Sequence, residues 1–266
     1  AQWNRFSCFN GTKGGFLFDN VHEFDNGTEE KALKGSSRDW AMLSFMARAN
    51  YSFDDRFLIT ATYRLDGSSR FGPSHRWGHF PSASAAWRMS NEEWWPKNSI
   101  VNDFKVRAGY GITGSDKIGA YQYIPILSTG EYPFGDNVSQ TLMSLTMANT
   151  SIHWEEVHQS NIGVDMSLFK SRINLSLDGY IKNTRDMLVK AAIPITSGFE
   201  DVTDTYTNAG MVRNVGTELF IHSVNFEGKN DGFRWETTLN VSWNTNKITA
   251  LNSSTPKYEN EINGAY

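Results

Sequence analysis

Between Asn161 and Lys182 the chain carries two alternating runs with only a short link between them. Ile162, Val164, Met166 and Leu168 share one face of the first run; Gly163, Asp165 and Ser167 share the other. After Phe169-Lys170-Ser171-Arg172, a second run sets Ile173, Leu175, Leu177 and Ile181 against Asn174, Ser176, Asp178 and Lys182. Successive side chains of a strand point to opposite faces. The alternation therefore predicts an antiparallel hairpin with one apolar and one polar face.

The pattern recurs. Residues 1–40 are rich in Gly, Asn and Asp and weakly periodic, which predicts a loop-rich lead-in on the extracellular side. From residue 41 onward, Leu43, Phe45, Ala47, Ala49 and Tyr51 line one strand face, and Phe57, Ile59, Ala61, Tyr63 and Leu65 the next. Ala83, Ala85, Trp87 and Met89 follow, then Phe104, Val106, Ala108 and Tyr110. Beyond the hairpin come Val215, Thr217, Leu219 and Ile221, and finally Trp235, Thr237, Leu239, Val241 and Trp243.

About eight strands are predicted, joined alternately by short and long links, the third being intermediate. The long links are 67–78, 113–153 and 189–207, and 251–266 begin a further one. Outer-membrane barrels alternate short periplasmic turns with long extracellular loops. For parity to hold, 113–153 must be a single loop or contain an even number of extra strands. Trp235 to Trp243 spans roughly 26 Å at about 3.3 Å per residue. A tilt of about 40° reduces this to roughly 20 Å, close to the roughly 25 Å apolar band of such barrels. Strands of a β-sandwich are commonly about 5–6 residues, shorter than the runs here.

Composition is compatible with a membrane barrel. Mean hydropathy is −0.47, and no apolar run approaches the roughly 18 residues of a spanning helix. Lipid-facing and lumen-facing residues alternate in a barrel and average to a hydrophilic chain. Aromatics make up 14% of residues, a supply suited to interfacial belts. A net charge of −4 gives no basic field for nucleic acid. Cys8 is the single cysteine, so no internal disulfide or paired thiolate ligand set exists.

Four segments then resemble one family. They are Leu58-Ile59-Thr60-Ala61-Thr62-Tyr63-Arg64-Leu65-Asp66-Gly67-Ser68-Ser69-Arg70-Phe71-Gly72, continued by Arg76-Trp77-Gly78-His79-Phe80-Pro81-Ser82; Lys105 to Gly114; Asn161 to Asp165; and Val212 to Leu219. In this order and spacing they resemble the SusC/RagA family, the TonB-dependent outer-membrane transporters of Bacteroidetes. The resemblance implies a barrel of about 22 strands with a plugged lumen, energised by the TonB complex through an N-terminal part. It also implies a SusD-like surface lipoprotein as lid. Oligosaccharides are the usual substrates, with oligopeptides in the RagA branch. No plug, TonB-interacting segment or signal sequence is legible, and Glu259 to Tyr266 lacks an aromatic-ended final strand. The expectation is a middle-to-late barrel section of an all-β, multi-pass outer-membrane protein, about a third of the transporter by analogy with plugged barrels.

Other motifs carry less. Gly109-Tyr110-Gly111-Ile112-Thr113-Gly114 fits G-x-G-x-x-G, but no amphipathic helix follows it, as a dinucleotide site requires. The glycines are expected where a strand leaves the membrane. His75 and His79 sit among Gly72, Pro73 and Gly78, a loop without further ligands. Glu200, Asp201 and Asp204 lack the spacing of a calcium loop. No catalytic arrangement, cofactor or metal is predicted. Candidate substrate- or lid-contacting residues are Arg70, Arg76, Trp77, Tyr121, Tyr123, Tyr132 and Phe134, placed by the loop assignment at the extracellular mouth. Rings can stack on sugars, and guanidinium groups can bind carboxylates or hydroxyls. Two alternatives stay open: a small closed outer-membrane barrel with an adhesive or structural role, and a soluble carbohydrate-binding β-sandwich.

Overall fold

The computed structural model describes residues 1–14, 29–96, 100–125, 127–135, 137–144, 147–193, 196, 204–228 and 232–250. Among the described residues thirteen strands form: β1 Gln2–Gly14, β2 Glu29–Phe53, β3 Phe57–Ser68, β4 Trp77–Arg88, β5 Val101–Ser115, β6 Leu127–Phe134, β7 Asn137–Ser144, β8 Glu155–Leu168, β9 Ile173–Arg185, β10 Leu188–Ala192, β11 Asp204–Asn208, β12 Met211–Glu227 and β13 Arg234–Ala250. Nine make one antiparallel sheet in the order β1-β2-β3-β4-β5-β8-β9-β12-β13. The pairs β6-β7 and β10-β11 are separate two-stranded hairpins.

The register carries the alternation across the sheet. Val106, Val164, Leu177, Leu219 and Val241 stand opposite one another on β5, β8, β9, β12 and β13. One residue along, Arg107, Gly163, Asp178, Glu218 and Ser242 form the matching row on the other face. We term these the outer and inner faces. The outer face is apolar yet open: Leu239 is 49% exposed, Val241 51% and Trp243 74%. Each such side chain gains about 1.5–3 kcal/mol only when taken out of water, and lipid is the medium that does so here. No second sheet covers this face among the described residues, which removes the β-sandwich reading.

Aromatic rings mark both edges of the apolar band. Near the short turns Phe57 stacks on Trp87, centroids 6.0 Å apart, and Trp95 on Phe104 at 5.8 Å. Near the long links the Tyr63 and Tyr110 hydroxyls meet the Nδ1 atoms of His79 and His158. Tyr and His have an apolar body and a polar tip, which suits the water–lipid boundary. Depth predicts a measurement. Trp243→Phe should lower the fluorescence quenched by lipids brominated on their acyl chains, and Trp154→Phe should not; equal changes in both variants would contradict the face assignment.

Tight turns join the strands at the end opposite the long links. Asp54 and Asp55 take φ of 52° and 49°, closing the β2-β3 hairpin with Arg56 N–H on the Phe53 carbonyl at 2.9 Å. Phe169, Lys170 and Ser171 also lie at positive φ, a cost of about 1–2 kcal/mol per non-glycine residue. Bonds from neighbouring strands hold that turn. Phe169 N–H donates to the Ile100 carbonyl at 2.9 Å, and Arg172 Nη2 to the Asn225 carbonyl at 3.0 Å.

Two sequence expectations change and one is met. Residues 1–40, expected as loop, instead supply β1 and the first part of β2, because the sheet pairs Gln2–Gly14 with Glu29–Met42. Backbone pairing there overrides the weak alternation. The 113–153 link contains β6 and β7, an even number of added strands, so parity holds. The 189–207 link contains β10-β11. Glu200, Asp201 and the 251–266 segment lie outside the described residues, as does the Asp204 side chain. The sheet's terminal strands β1 and β13 do not pair with each other. In a bilayer both edges require partner strands, so this sheet is not a small closed barrel.

Candidate functional site

The inner face is polar and carries a charge network built across three strands. Arg107 on β5 reaches over β8 to β9. Its Nε donates to Asp165 Oδ2 at 3.1 Å, and its Nη2 to Ser176 Oγ at 3.0 Å and Asp178 Oδ2 at 2.7 Å. Lys105 Nζ lies 2.9 Å from Asp165 Oδ2, and Ser176 Oγ donates to Asp165 Oδ1 at 2.8 Å. Gly163 on β8 makes the crossing feasible: a Cβ there would meet Asp178 Oδ1 at 2.5 Å and Arg107 Cζ at 2.8 Å. Gly216 similarly lies beneath Tyr180, whose ring carbon Cζ would be 2.6 Å from an added Cβ. Glycines in the two recognised segments thus give clearance to inner-face side chains that run sideways.

Above the network the long links fold over the inner face and form a small core. Phe71, Phe80, Ile118, Ile152 and Trp154 are buried together, with Tyr123 and Tyr206 packed on them. Trp154 lies 5.2 Å from Phe71 and 5.3 Å from Phe80, and its indole N–H donates to the Arg76 carbonyl at 3.0 Å. Phe80 sits where Gly78 and Gly114 have no side chain; an added Cβ would lie 2.5 Å and 2.1 Å from Phe80 Cζ. Ser68 Oγ, fully buried, donates to Asp116 Oδ2 at 2.8 Å and ties this lid to β3.

Clefts open on the inner face. One of about 360 Å3 is lined by Met46, Arg48, Arg64, Asp66, Phe80 and Trp154, among others. The second, about 370 Å3, is lined by Gln159, Asn161, Asp178, Tyr180, Lys182 and Glu218. Both present charges of either sign beside hydroxyls, and the second adds the amides of Gln159 and Asn161. Polar solutes can exchange water for such groups at small net cost.

The predicted mouth residues separate. Arg70 braces the lid: it lies 4.4 Å over the Trp40 ring and donates to the Asp116 carbonyl at 2.9 Å. Arg76 is half-buried beside Trp154, and its Nε has no hydrogen-bond partner among the described residues. Tyr123 packs into the lid core. The Tyr121 hydroxyl accepts the Asp39 N–H at 3.2 Å, which holds this ring against β2. Tyr132 is 56% exposed on β6; the Phe134 side chain, on the same strand, lies outside the described residues. Trp77 is not at the mouth interior. It stacks on Phe45 at 6.3 Å over Gly67, on the outer face, because its register position matches Leu43 and Gly67. Arg70, Arg76 and Tyr123 therefore converge on the lid, whereas Trp77, Tyr121 and Tyr132 do not. The sequence reading missed the Phe71-Phe80-Trp154 lid. Its only sequence signal was a Trp directly before an alternating run, which by itself does not indicate burial.

Residues 2–265 match the family described as TonB dependent receptor-like, beta-barrel. The chain is 35% identical over 252 residues to TonB-dependent receptor P39 of Formosa agariphila, covering 94% of this chain and 23% of that protein. It is 35% identical over 215 residues to TonB-dependent receptor SusC of Bacteroides thetaiotaomicron, covering 79% of this chain and 21% of that one. Among solved structures, the RagAB peptide transporter superposes with a TM-score of 0.81 at 26% identity, over 94% of this chain and 27% of that chain. The chain thus spans about a fifth to a quarter of these relatives, less than the third expected from sequence. Sequence over nearly the whole length and backbone over the whole sheet agree: the chain belongs to the TonB-dependent receptor β-barrel family, as a SusC/RagA-type wall section of the outer membrane.

Proposed function

We propose that this chain forms part of the wall of a TonB-dependent importer that moves a polar oligomeric nutrient, an oligosaccharide in the first reading, across the outer membrane. One observation carries the proposal. The same nine strands that are apolar outside present a continuous charged and hydroxyl-bearing face inside. Such a face has no use against lipid and suits a hydrated passage. The mouth adds exposed Tyr132 and the half-buried guanidinium of Arg76, groups that can stack on or hydrogen-bond a sugar. In this proposal energy comes from the TonB complex acting on an N-terminal part, and a SusD-like lipoprotein closes the mouth. The family consists of transporters rather than enzymes, and we assign no covalent step to the inner face.

An oligopeptide is the second reading. It is favoured by the mixed charge of the clefts, one of which carries both Lys182 and Glu218, a cation and an anion suited to two chain termini. The similar solved structure is that of a peptide transporter. Growth separates the two. A deletion strain should fail on one oligosaccharide class as sole carbon source and be restored by the intact gene. Arg76→Ala should slow uptake of that oligosaccharide while Trp77→Ala leaves it unchanged. Normal growth of the deletion strain on every oligosaccharide with loss of peptide utilisation would replace the first reading by the second.

A further inference from the structure

On the outer face at the long-link end, three cations line up just above the apolar band. Alternation places Arg185 of β9, Arg213 of β12 and Lys247 of β13 on the same face as Ile181, Val215 and Trp243. Arg213 stands directly opposite Lys247 in the register, and two residues beyond Val215. All three are exposed, and none pairs with a carboxylate among the described residues. Arg213 Nε is turned by Asn183 Oδ1 at 2.8 Å. Glu156, opposite Arg185 in the register, is engaged by His158 Nε2 at 3.0 Å.

Like charges directly opposite on neighbouring strands destabilise a sheet. Two residues of strand are about 6.6 Å, so the cations sit at headgroup level above the band. A strand face that is apolar below and cationic above matches a lipid with acyl chains below and an anion above. We infer that Arg185, Arg213 and Lys247 form a binding site for the phosphate of a phosphorylated outer-leaflet glycolipid. The phosphate relieves the Arg213–Lys247 repulsion, and its acyl chains lie along Val215, Leu219 and Trp243.

The test uses the protein purified in detergent from outer membranes, transferred into phosphatidylcholine nanodiscs doped with phosphorylated lipid A. Each cation near a membrane surface contributes about a factor of five in lipid affinity, so Arg213→Gln with Lys247→Gln should weaken lipid A binding by about 25-fold. Dephosphorylated lipid A should bind the parent as weakly as phosphorylated lipid A binds this double variant. The charge-preserving pair Arg213→Lys with Lys247→Arg should keep parental binding, and Lys182→Gln on the inner face should do the same. Parental binding by the double variant would overturn the inference. So would displacement of the lipid by equimolar inorganic phosphate, since a free anion and not a headgroup would then be the ligand.

Discussion

Gly114→Ala is expected to lower the unfolding free energy of the protein in detergent by about 2–3 kcal/mol, a large cost for one methyl group. The added Cβ would stand 2.1 Å from Phe80 Cζ and 2.5 Å from Cε1, well inside contact distance. Phe80 cannot swing away freely, because it is 5% exposed and edge-packed on Trp154, itself 5% exposed. The ring must leave its slot or β5 must shift, and either loosens the Phe71-Phe80-Trp154 lid. Urea unfolding gives the measurement. Gly179→Ala is the control, since its Cβ would find only Ile162 Cγ2 at 3.9 Å, an ordinary contact. In a Phe80→Ala background, itself costing about 3–5 kcal/mol, Gly114→Ala should cost almost nothing further. The same penalty in both backgrounds would show that Phe80 is not what Gly114 accommodates.

Arg107→Met should cost about 2–3 kcal/mol by the same assay. The substitution keeps most of the side chain's length and removes the fork that joins Asp165, Ser176 and Asp178. Asp165 retains Lys105 at 2.9 Å, but Asp178 loses its cation. The participating side chains are between 26% and 31% exposed, so water screens part of the loss and keeps it below that of a fully buried pair. Arg107→Lys should recover less than half, because an ammonium cannot address two carboxylates through a fixed planar fork. Gly163→Ala should mimic Arg107→Met, since its methyl group occupies the gap through which the guanidinium passes. An Arg107→Met protein that unfolds at the parental urea midpoint would mean that solvent already satisfies this network.

Much of the wall was legible residue by residue. The hairpin Asn161–Lys182 needed only its own alternation: the register pairs Val164 with Leu177 and Gly163 with Asp178, as the two runs imply. Its link is a tight turn with three residues at positive φ, although none of them is glycine. The mouth was less legible. Trp77 fell in a polar-looking link, yet two extra residues of pairing put it on β4 and turned it outward. Arg70 resembled a ligand-binding cation until Trp40 and Asp116, 30 and 46 residues away in sequence, were found holding it. Residues 1–40 showed little alternation because a strand's pairing depends on its neighbour as much as on its own propensity.

The sequence by itself determined which side chains face together. A period of two is a local property that fixes faces without knowledge of the partner strand, and an apolar face paired with a mean hydropathy of −0.47 pointed to a barrel wall. Only the tertiary structure decided what those faces hold. Arg107 and Asp178 are 71 positions apart, Trp154 and Arg76 are 78 apart, and Arg213 meets Lys247 only through the pairing of β12 with β13. Such meetings depend on strand register and on the missing Cβ atoms of Gly114 and Gly163, and neither is a property of any single stretch of chain.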